Sequence, residues 1–85
     1  MIRGRVQGVS YRYWAVTEAT GRGLHGWVRN RSDGSVEAFL SGLAAEVDAM
    51  IEACREGPRA ARVTDIDIRE ETARAEAGFR QLPTA

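Results

Sequence analysis

The sequence has few of the features that mark a secreted, membrane-spanning or nucleic-acid-binding protein. Its single cysteine, Cys54, cannot form an internal disulfide bond, which favours a reduced thiol in a cytoplasmic protein. The longest apolar run is far shorter than the ~20 residues that a membrane-spanning helix needs. Met1 leads directly into a strand-like segment, so we expect neither a signal peptide nor a membrane partner.

Neither sign of charge dominates. Twelve basic and twelve acidic side chains give a formal net charge of zero. A protein that holds nucleic acid by bulk electrostatics would be basic, so we expect no nucleic-acid partner. A local positive site for a small anion is still compatible with this balance. The length of 85 residues predicts one domain over residues 1–85, with a modest core.

Hydrophobic periodicity predicts strands and helices in a regular order. Tyr11, Trp14, Ala15 and Ala19 recur at helical spacing, and Ser10 is a candidate N-cap. The predicted strands cover residues 1–6, 24–31, 35–40 and 63–69, with a possible fifth at 79–82, and the predicted helices cover residues 10–21 and 42–56.

The dipeptide Asp33-Gly34 separates the second and third predicted strands. Asp-Gly between two strand-like runs is a strong hairpin signal because both residues tolerate a positive φ. Asp33 as a metal ligand or general base is the alternative, but the turn already explains it. The order β-α-β-β-α-β then predicts an α+β, ferredoxin-like sandwich: an antiparallel sheet with two helices on one face and the third strand between the first two.

The segment from Gly4 to Arg12 passes from a strand through Gly8 into a helix start. Such a turn places several backbone N–H groups on one concave surface, where the helix dipole adds partial positive charge. A phosphate or carboxylate binds well there, and an arginine in the first helical turn adds a planar fork of donors. The alternative is a tight turn in which Gly8 supplies a positive φ and Arg12 is a solvated surface charge.

Two long motifs extend this interpretation to a family. The segments Gly4-Arg5-Val6-Gln7-Gly8-Val9-Ser10-Tyr11-Arg12 and Gly26-Trp27-Val28-Arg29-Asn30-Arg31-Ser32-Asp33-Gly34-Ser35-Val36-Glu37 closely resemble the two signature segments of acylphosphatases. Residues 57–63 resemble the third characteristic stretch. The similarity covers nearly the whole chain in the right order.

The resemblance implies a hydrolase that converts acyl phosphates to a carboxylate and inorganic phosphate without metal or cofactor. It further implies a small-molecule substrate, and we expect a monomer. Arg12 corresponds to the phosphate-binding arginine and Asn30 to the asparagine that orients the attacking water. The matched substrate-binding cradle is the backbone of Gln7, Gly8, Val9, Ser10 and Tyr11, together with Arg12.

Four other interpretations compete with this one. The same fold can serve as a binding module, such as the acylphosphatase-like domain of larger carbamoyl-transfer proteins. A sheet-surface RNA binder shares the topology but needs aromatic residues on two central strands, and Phe39 alone is a poor match. Cys54 as a catalytic thiol and His25 as a phosphohistidine both lack partners in the sequence.

Overall fold

Seven secondary-structure elements follow one another in the computed structural model, which describes residues 1–85. They are β1 (Ile2–Arg5), α1 (Tyr11–Gly21), β2 (His25–Asn30), β3 (Val36–Ser41), α2 (Ala44–Glu56), β4 (Arg62–Ile66) and β5 (Phe79–Gln81). Each predicted element is present. The fourth strand is shorter than the sequence pattern predicts, since it ends at Ile66 and residues 67–69 lie outside it.

The five strands form one sheet in the order β4-β1-β3-β2-β5. β3 lies between β1 and β2 and is antiparallel to both, as the β-α-β-β-α-β order predicts. This confirms the ferredoxin-like α+β class. One strand departs from the predicted antiparallel sheet: β5 runs parallel to β2, with Gly26 opposite Phe79 and Val28 opposite Gln81, so the sheet is mixed.

The core lies between the sheet and the helices. In β2 and β3 the side chains alternate in and out of it: Val28 and Val36 are buried, whereas the intervening residues face away from the helices. Helix α1 contributes Tyr11, Ala15 and Ala19 to this core, and α2 contributes Met50 and Cys54. Two alanines on the inner face of α1 bring its backbone close to the sheet.

The β2–β3 hairpin lies where the sequence predicts it, but its turn differs from the two-residue form. The N–H of Arg31 donates to Ser35 O at 2.8 Å, and the N–H of Gly34 donates to Arg31 O at 3.1 Å. The loop therefore has three residues, and Gly34 alone takes a positive φ, 92°. Asp33 Oδ1 accepts from both the N–H and the hydroxyl of Ser35, which lowers the pKa of Asp33. Its role is structural, as the turn interpretation predicts.

The directions of the strands decide where the site lies. β1 and β2 are both antiparallel to β3, and β5 is parallel to β2, so β1, β2 and β5 point the same way. Their carboxyl ends meet at one edge of the sheet. The loop after β1, Asn30 at the end of β2 and Gln81 at the end of β5 lie along that edge.

Candidate active site

A pocket of about 260 Å³ lies at this edge, beside the first turn of α1. Residues from the loop after β1 and from three elements surround it. Its lining consists of Val6, Gln7, Gly8, Ser10, Tyr11, Arg12, Tyr13, Asn30 and Gln81. The two residues that the sequence motifs single out as catalytic, Arg12 and Asn30, therefore share one pocket although 18 positions separate them in the sequence.

The loop that opens the pocket has main-chain donors to spare. None of the N–H groups of residues 7–13 donates to a main-chain carbonyl, and the first such donor in α1 is Trp14, which reaches Ser10 O at 3.0 Å. Gly8 has φ 72° and Ser10 has φ 63°, two left-handed residues in the five-residue loop 6–10. Alternation between left- and right-handed residues turns successive N–H groups inward, which makes a concave anion site.

Ser10 is the only residue other than glycine with a positive φ. A left-handed backbone costs an L-residue of order 1–2 kcal/mol, and such strain is concentrated at functional sites. Ser10 occupies the N-cap position of α1, as the sequence predicts. Its hydroxyl, however, forms no capping hydrogen bond with the helix. The loop keeps its first N–H groups free for another acceptor.

Tyr11 enters the site through its backbone only. Its side chain is 1% exposed in the core, and its hydroxyl donates to Cys54 O at 2.6 Å. Burial is the main reason why the pKa of Tyr11 is raised well above its ordinary value. This bond fixes the first turn of α1 against the end of α2. Burial likewise raises the pKa of Cys54, so its thiol stays protonated, and it lies outside the pocket lining.

The side chain of Gln7 connects the loop to the β2–β3 hairpin. Its Nε2 group donates to Arg31 O at 2.7 Å and to Ser35 O at 2.8 Å. Arg31 directly follows Asn30, so the loop and the asparagine are held at a fixed separation. The sequence motif assigns only the backbone of Gln7 to the site, and this role of its side chain emerges from the structure.

Arg12 lies in the first turn of α1, half-buried, and forms no ion pair. Seven of the twelve arginines do form ion pairs with carboxylates, and Arg12 is not among them: Arg3, Arg22, Arg29, Arg31, Arg55, Arg69 and Arg80. Its five guanidinium donors are therefore available in the pocket. The alternative of a fully solvated surface arginine does not fit a residue that lines a pocket.

Asn30 is held by its backbone and has a free side-chain oxygen. It pairs with Val36 on β3, and its carbonyl accepts from the Ala85 N–H at 2.9 Å. The Oδ1 atom is buried and has no hydrogen-bond partner in the protein. A buried amide oxygen without a partner costs free energy unless a bound molecule donates to it. The unpaired Asn30 oxygen therefore indicates that a polar molecule binds in the pocket.

The structure assembles most of the predicted cradle and adds to it. Gln7, Gly8, Ser10, Tyr11 and Arg12 line the pocket, whereas the Val9 side chain packs against the core. Tyr13 and Gln81 are lining residues that sequence reasoning missed. Tyr13 is close to Arg12 in sequence, but only the parallel pairing of β5 with β2 brings Gln81 there.

His25 lies at the start of β2, at the opposite end of that strand from Asn30. Its Nδ1 accepts a hydrogen bond from the Gly78 N–H at 2.8 Å. This bond gives His25 a structural role, so a phosphohistidine is not needed to account for the residue.

No group of three or more His, Cys, Asp or Glu side chains could hold a metal ion. No helix has both the length and the apolar character needed to cross a membrane.

The fold and the pocket define a small ferredoxin-like domain with an arginine and free main-chain donors after its first strand. Comparison with known proteins gives the family. The family model for acylphosphatase matches residues 1–81. An acylphosphatase from Rhodospirillum rubrum is 53% identical over 83 residues, which cover 98% of this chain and 91% of the relative. The chain belongs to the acylphosphatase family, which confirms the family and the enzyme class that the motifs predict.

Solved structures agree with this assignment. The crystal structure of an acylphosphatase from Bacillus subtilis superposes with a TM-score of 0.90 at 38% identity and covers 95% of this chain and 91% of that chain. The crystal structure of full-length HypF in the phosphate- and nucleotide-bound form has a TM-score of 0.89 at 26% identity. The match covers 98% of this chain but 11% of HypF, so the same fold also occurs as a small part of a much longer protein.

Proposed function

We propose that this chain hydrolyses small-molecule acyl phosphates to a carboxylate and inorganic phosphate, without a metal ion. The observation that carries the proposal is the shared pocket of unpaired polar groups: the donors are the free N–H groups after β1 and the Arg12 guanidinium, and the acceptor is Asn30 Oδ1. Membership of the acylphosphatase family supports the reaction class.

The donors of the loop and of Arg12 suit the phosphoryl group. Phosphoryl transfer passes through a loose transition state with negative charge spread over the phosphoryl oxygens. Fixed donors that are already oriented stabilise that charge without reorganising during the reaction. The planar guanidinium of Arg12 can hold two oxygens at once, and the N–H groups of the loop hold the others.

The side chain of Asn30 is suited to hold the nucleophile, a water molecule. Its Oδ1 atom lacks a donor within the protein, so we assign it to the attacking water, whose O–H it accepts. An amide stays neutral at every relevant pH and therefore positions the water without acting as a base. A water molecule that is already held in line with the phosphorus atom has lost its translational and rotational freedom before the reaction. The entropic part of the activation barrier is therefore smaller.

The lining of the pocket contains no carboxylate, imidazole or thiol, so no strong general base faces the substrate. We propose that the water oxygen bonds to phosphorus as the bond from phosphorus to the acyl oxygen breaks. The carboxylate leaves with the electron pair of that bond, and the proton released by the water goes to a phosphoryl oxygen. A carboxylate is a good leaving group, so it needs no acid catalyst.

The test is hydrolysis of benzoyl phosphate with EDTA present, for the wild type beside Arg12→Ala and Arg55→Ala. Arg55 is an exposed arginine on α2 and serves as the matched control. We expect full activity in EDTA, an unchanged Arg55→Ala, and a loss of about 100-fold or more in kcat/KM for Arg12→Ala. Activity that EDTA abolishes and magnesium restores would contradict the metal-free mechanism. An Arg12→Ala variant as active as the wild type would contradict the assignment of Arg12 to the phosphate site.

The cytoplasmic location and the monomeric state of the protein remain predictions.

A further inference from the structure

A second pocket lies on the face of the sheet that points away from the helices. Trp27 alternates along β2 with the buried Val28, and Phe39 alternates along β3 with Ala38 and Leu40, which pack against the core. Both aromatic side chains therefore lie on the open face. They are direct cross-strand partners, with ring centroids 6.0 Å apart and planes tilted by 43°.

This pocket has a volume of about 290 Å³, close to that of the candidate active site. The segment 74–76 and strand β5 form its other walls. Gly26, Trp27, Phe39, Arg74, Ala75, Glu76, Arg80 and Leu82 line it. None of these eight residues lines the candidate active site, so the two pockets are separate.

The pocket combines an aromatic wall with accessible cations. Arg80 stands opposite Trp27 across the β2–β5 pair, and its only carboxylate partner is Glu76 at 3.4 Å. Both side chains of that pair are more than half exposed, so the pair adds little stability and a bound anion can replace it. Arg74 forms no ion pair. The lining thus offers two guanidinium groups against one carboxylate.

The indole of Trp27 is already held in place. The guanidinium of Arg29 lies over its ring, 4.7 Å from the centroid, and Arg29 Nε donates to Glu37 Oε1 at 2.8 Å. An aromatic side chain fixed in this way presents a rigid surface and loses little conformational entropy when a ligand stacks on it.

We propose that this open-face pocket binds a small ligand in which a planar aromatic ring is joined to a phosphate, as in a nucleoside monophosphate. The ring packs against Trp27 and Phe39, and the phosphate takes two-point contacts from Arg74 and Arg80. A small ligand is favoured over a nucleic-acid strand because carboxylates offset most of the other positive charge near this face. Glu37 holds both Arg29 and Arg31, and Asp65 holds Arg3.

The test is an NMR titration with adenosine monophosphate, carried out on the wild type and on Arg12→Ala, which lacks the arginine of the cradle. We expect the Trp27 indole N–H signal to shift and that of Trp14 to stay. Adenosine and ribose 5-phosphate each lack one half of the recognised chemistry. We expect both to bind about tenfold more weakly or worse.

Two variants assign the binding to this pocket. Arg74→Gln combined with Arg80→Gln changes two side chains at the surface and is expected to raise the Kd about tenfold or more, whereas the control Arg55→Gln leaves it unchanged. Arg12→Ala is also expected to leave the Kd for adenosine monophosphate unchanged. The result is therefore independent of the proposed hydrolysis.

Three outcomes would overturn the proposal. The first is a Kd for adenosine monophosphate that the double arginine variant does not change. The second is binding that Arg12→Ala abolishes, which would place the ligand in the cradle. The third is binding of oligoadenylate without binding of the mononucleotide, which would make the sheet a surface for single strands.

Discussion

The side-chain amide of Gln7 donates to the main-chain carbonyl of Arg31 at 2.7 Å and so joins the loop after β1 to the β2–β3 hairpin. The same Nε2 group donates to Ser35 O at 2.8 Å. The loop supplies the free N–H groups and the hairpin carries Asn30. One neutral side chain therefore sets the distance between the proposed phosphate site and the proposed water site.

Replacing Gln7 with methionine keeps the length of the side chain and removes both hydrogen bonds. We expect a loss of about 1–3 kcal/mol in the free energy of unfolding, because two hydrogen bonds are lost and each carbonyl keeps only its main-chain donor. We expect kcat to fall about tenfold or more while the Kd for inorganic phosphate changes less, since misplacement weakens catalysis before it weakens binding. Urea unfolding and steady-state kinetics measure the two effects.

Gln81→Met is the matched control, because Gln81 lines the same pocket and its side chain forms no hydrogen bond within the protein. It should unfold at the wild-type urea concentration. If Gln7→Met kept the wild-type kcat, the amide would stabilise the hairpin without positioning the catalytic groups.

Asn30→Ala removes the amide proposed to hold the water. We expect kcat to fall about 10- to 100-fold, with a smaller change in the Kd for phosphate, because the phosphoryl donors stay in place. Stability should change little, since the Oδ1 atom has no partner in the protein to lose. A variant that raised KM for benzoyl phosphate at unchanged kcat would reassign Asn30 to substrate binding.

Ser10 and Gly8 lie two positions apart in the loop, and both have a positive φ. Opposite substitutions at these two positions therefore test the same backbone strain. Ser10→Gly removes the cost of a left-handed L-residue but makes the unfolded chain more flexible, so we expect a stability between that of the wild type and about 1 kcal/mol above it. Gly8→Ala meets no atom within 4 Å but retains φ 72°. We expect it to lose about 1 kcal/mol from backbone strain alone. Thermal unfolding compares the two, and a stabilised Gly8→Ala would contradict the loop geometry.

Glu37 links stability to pH. Burial disfavours its charged form, but hydrogen bonds and charges from Arg29 and Arg31 outweigh burial and lower its pKa below the ordinary 4.5. A lowered pKa means that the stabilisation is complete above pH 4.5 and is lost as the pH falls through the folded-state value. We expect Glu37→Gln to be less stable than the wild type at pH 7, by about 1 kcal/mol or less. The two proteins should converge as the pH falls below the folded-state pKa of Glu37. A difference that stayed constant from pH 7 through that fall would show that the carboxylate charge contributes nothing.

The sequence predicts much of this architecture because the signals are local. Asp33-Gly34 places the hairpin, and the spacing of Tyr11, Ala15 and Ala19 places α1. The motif around Gly8 places the loop beside Arg12 because strand, turn and helix are contiguous in the chain. What the sequence misses depends on contacts between distant segments. Gln81 reaches the pocket only through the parallel pairing of β5 with β2.

The aromatic pair on the open face is not apparent from the sequence for a similar reason. In the sequence, Phe39 stands out as a single aromatic residue on its strand. In the structure Trp27 lies directly opposite it, because the hairpin register pairs the two residues. Backbone strain is also invisible in the sequence: serine is a favoured N-cap, yet Ser10 adopts the left-handed conformation and caps nothing.

The most direct test of the central claim is a titration of the ¹⁵N-labelled protein with inorganic phosphate, followed by amide NMR shifts. We expect saturable shifts for the main-chain amides of Gly8, Val9, Ser10 and Tyr11, and much weaker binding in Arg12→Ala. Phosphate that shifted signals elsewhere and left these four amides unmoved would contradict the claim.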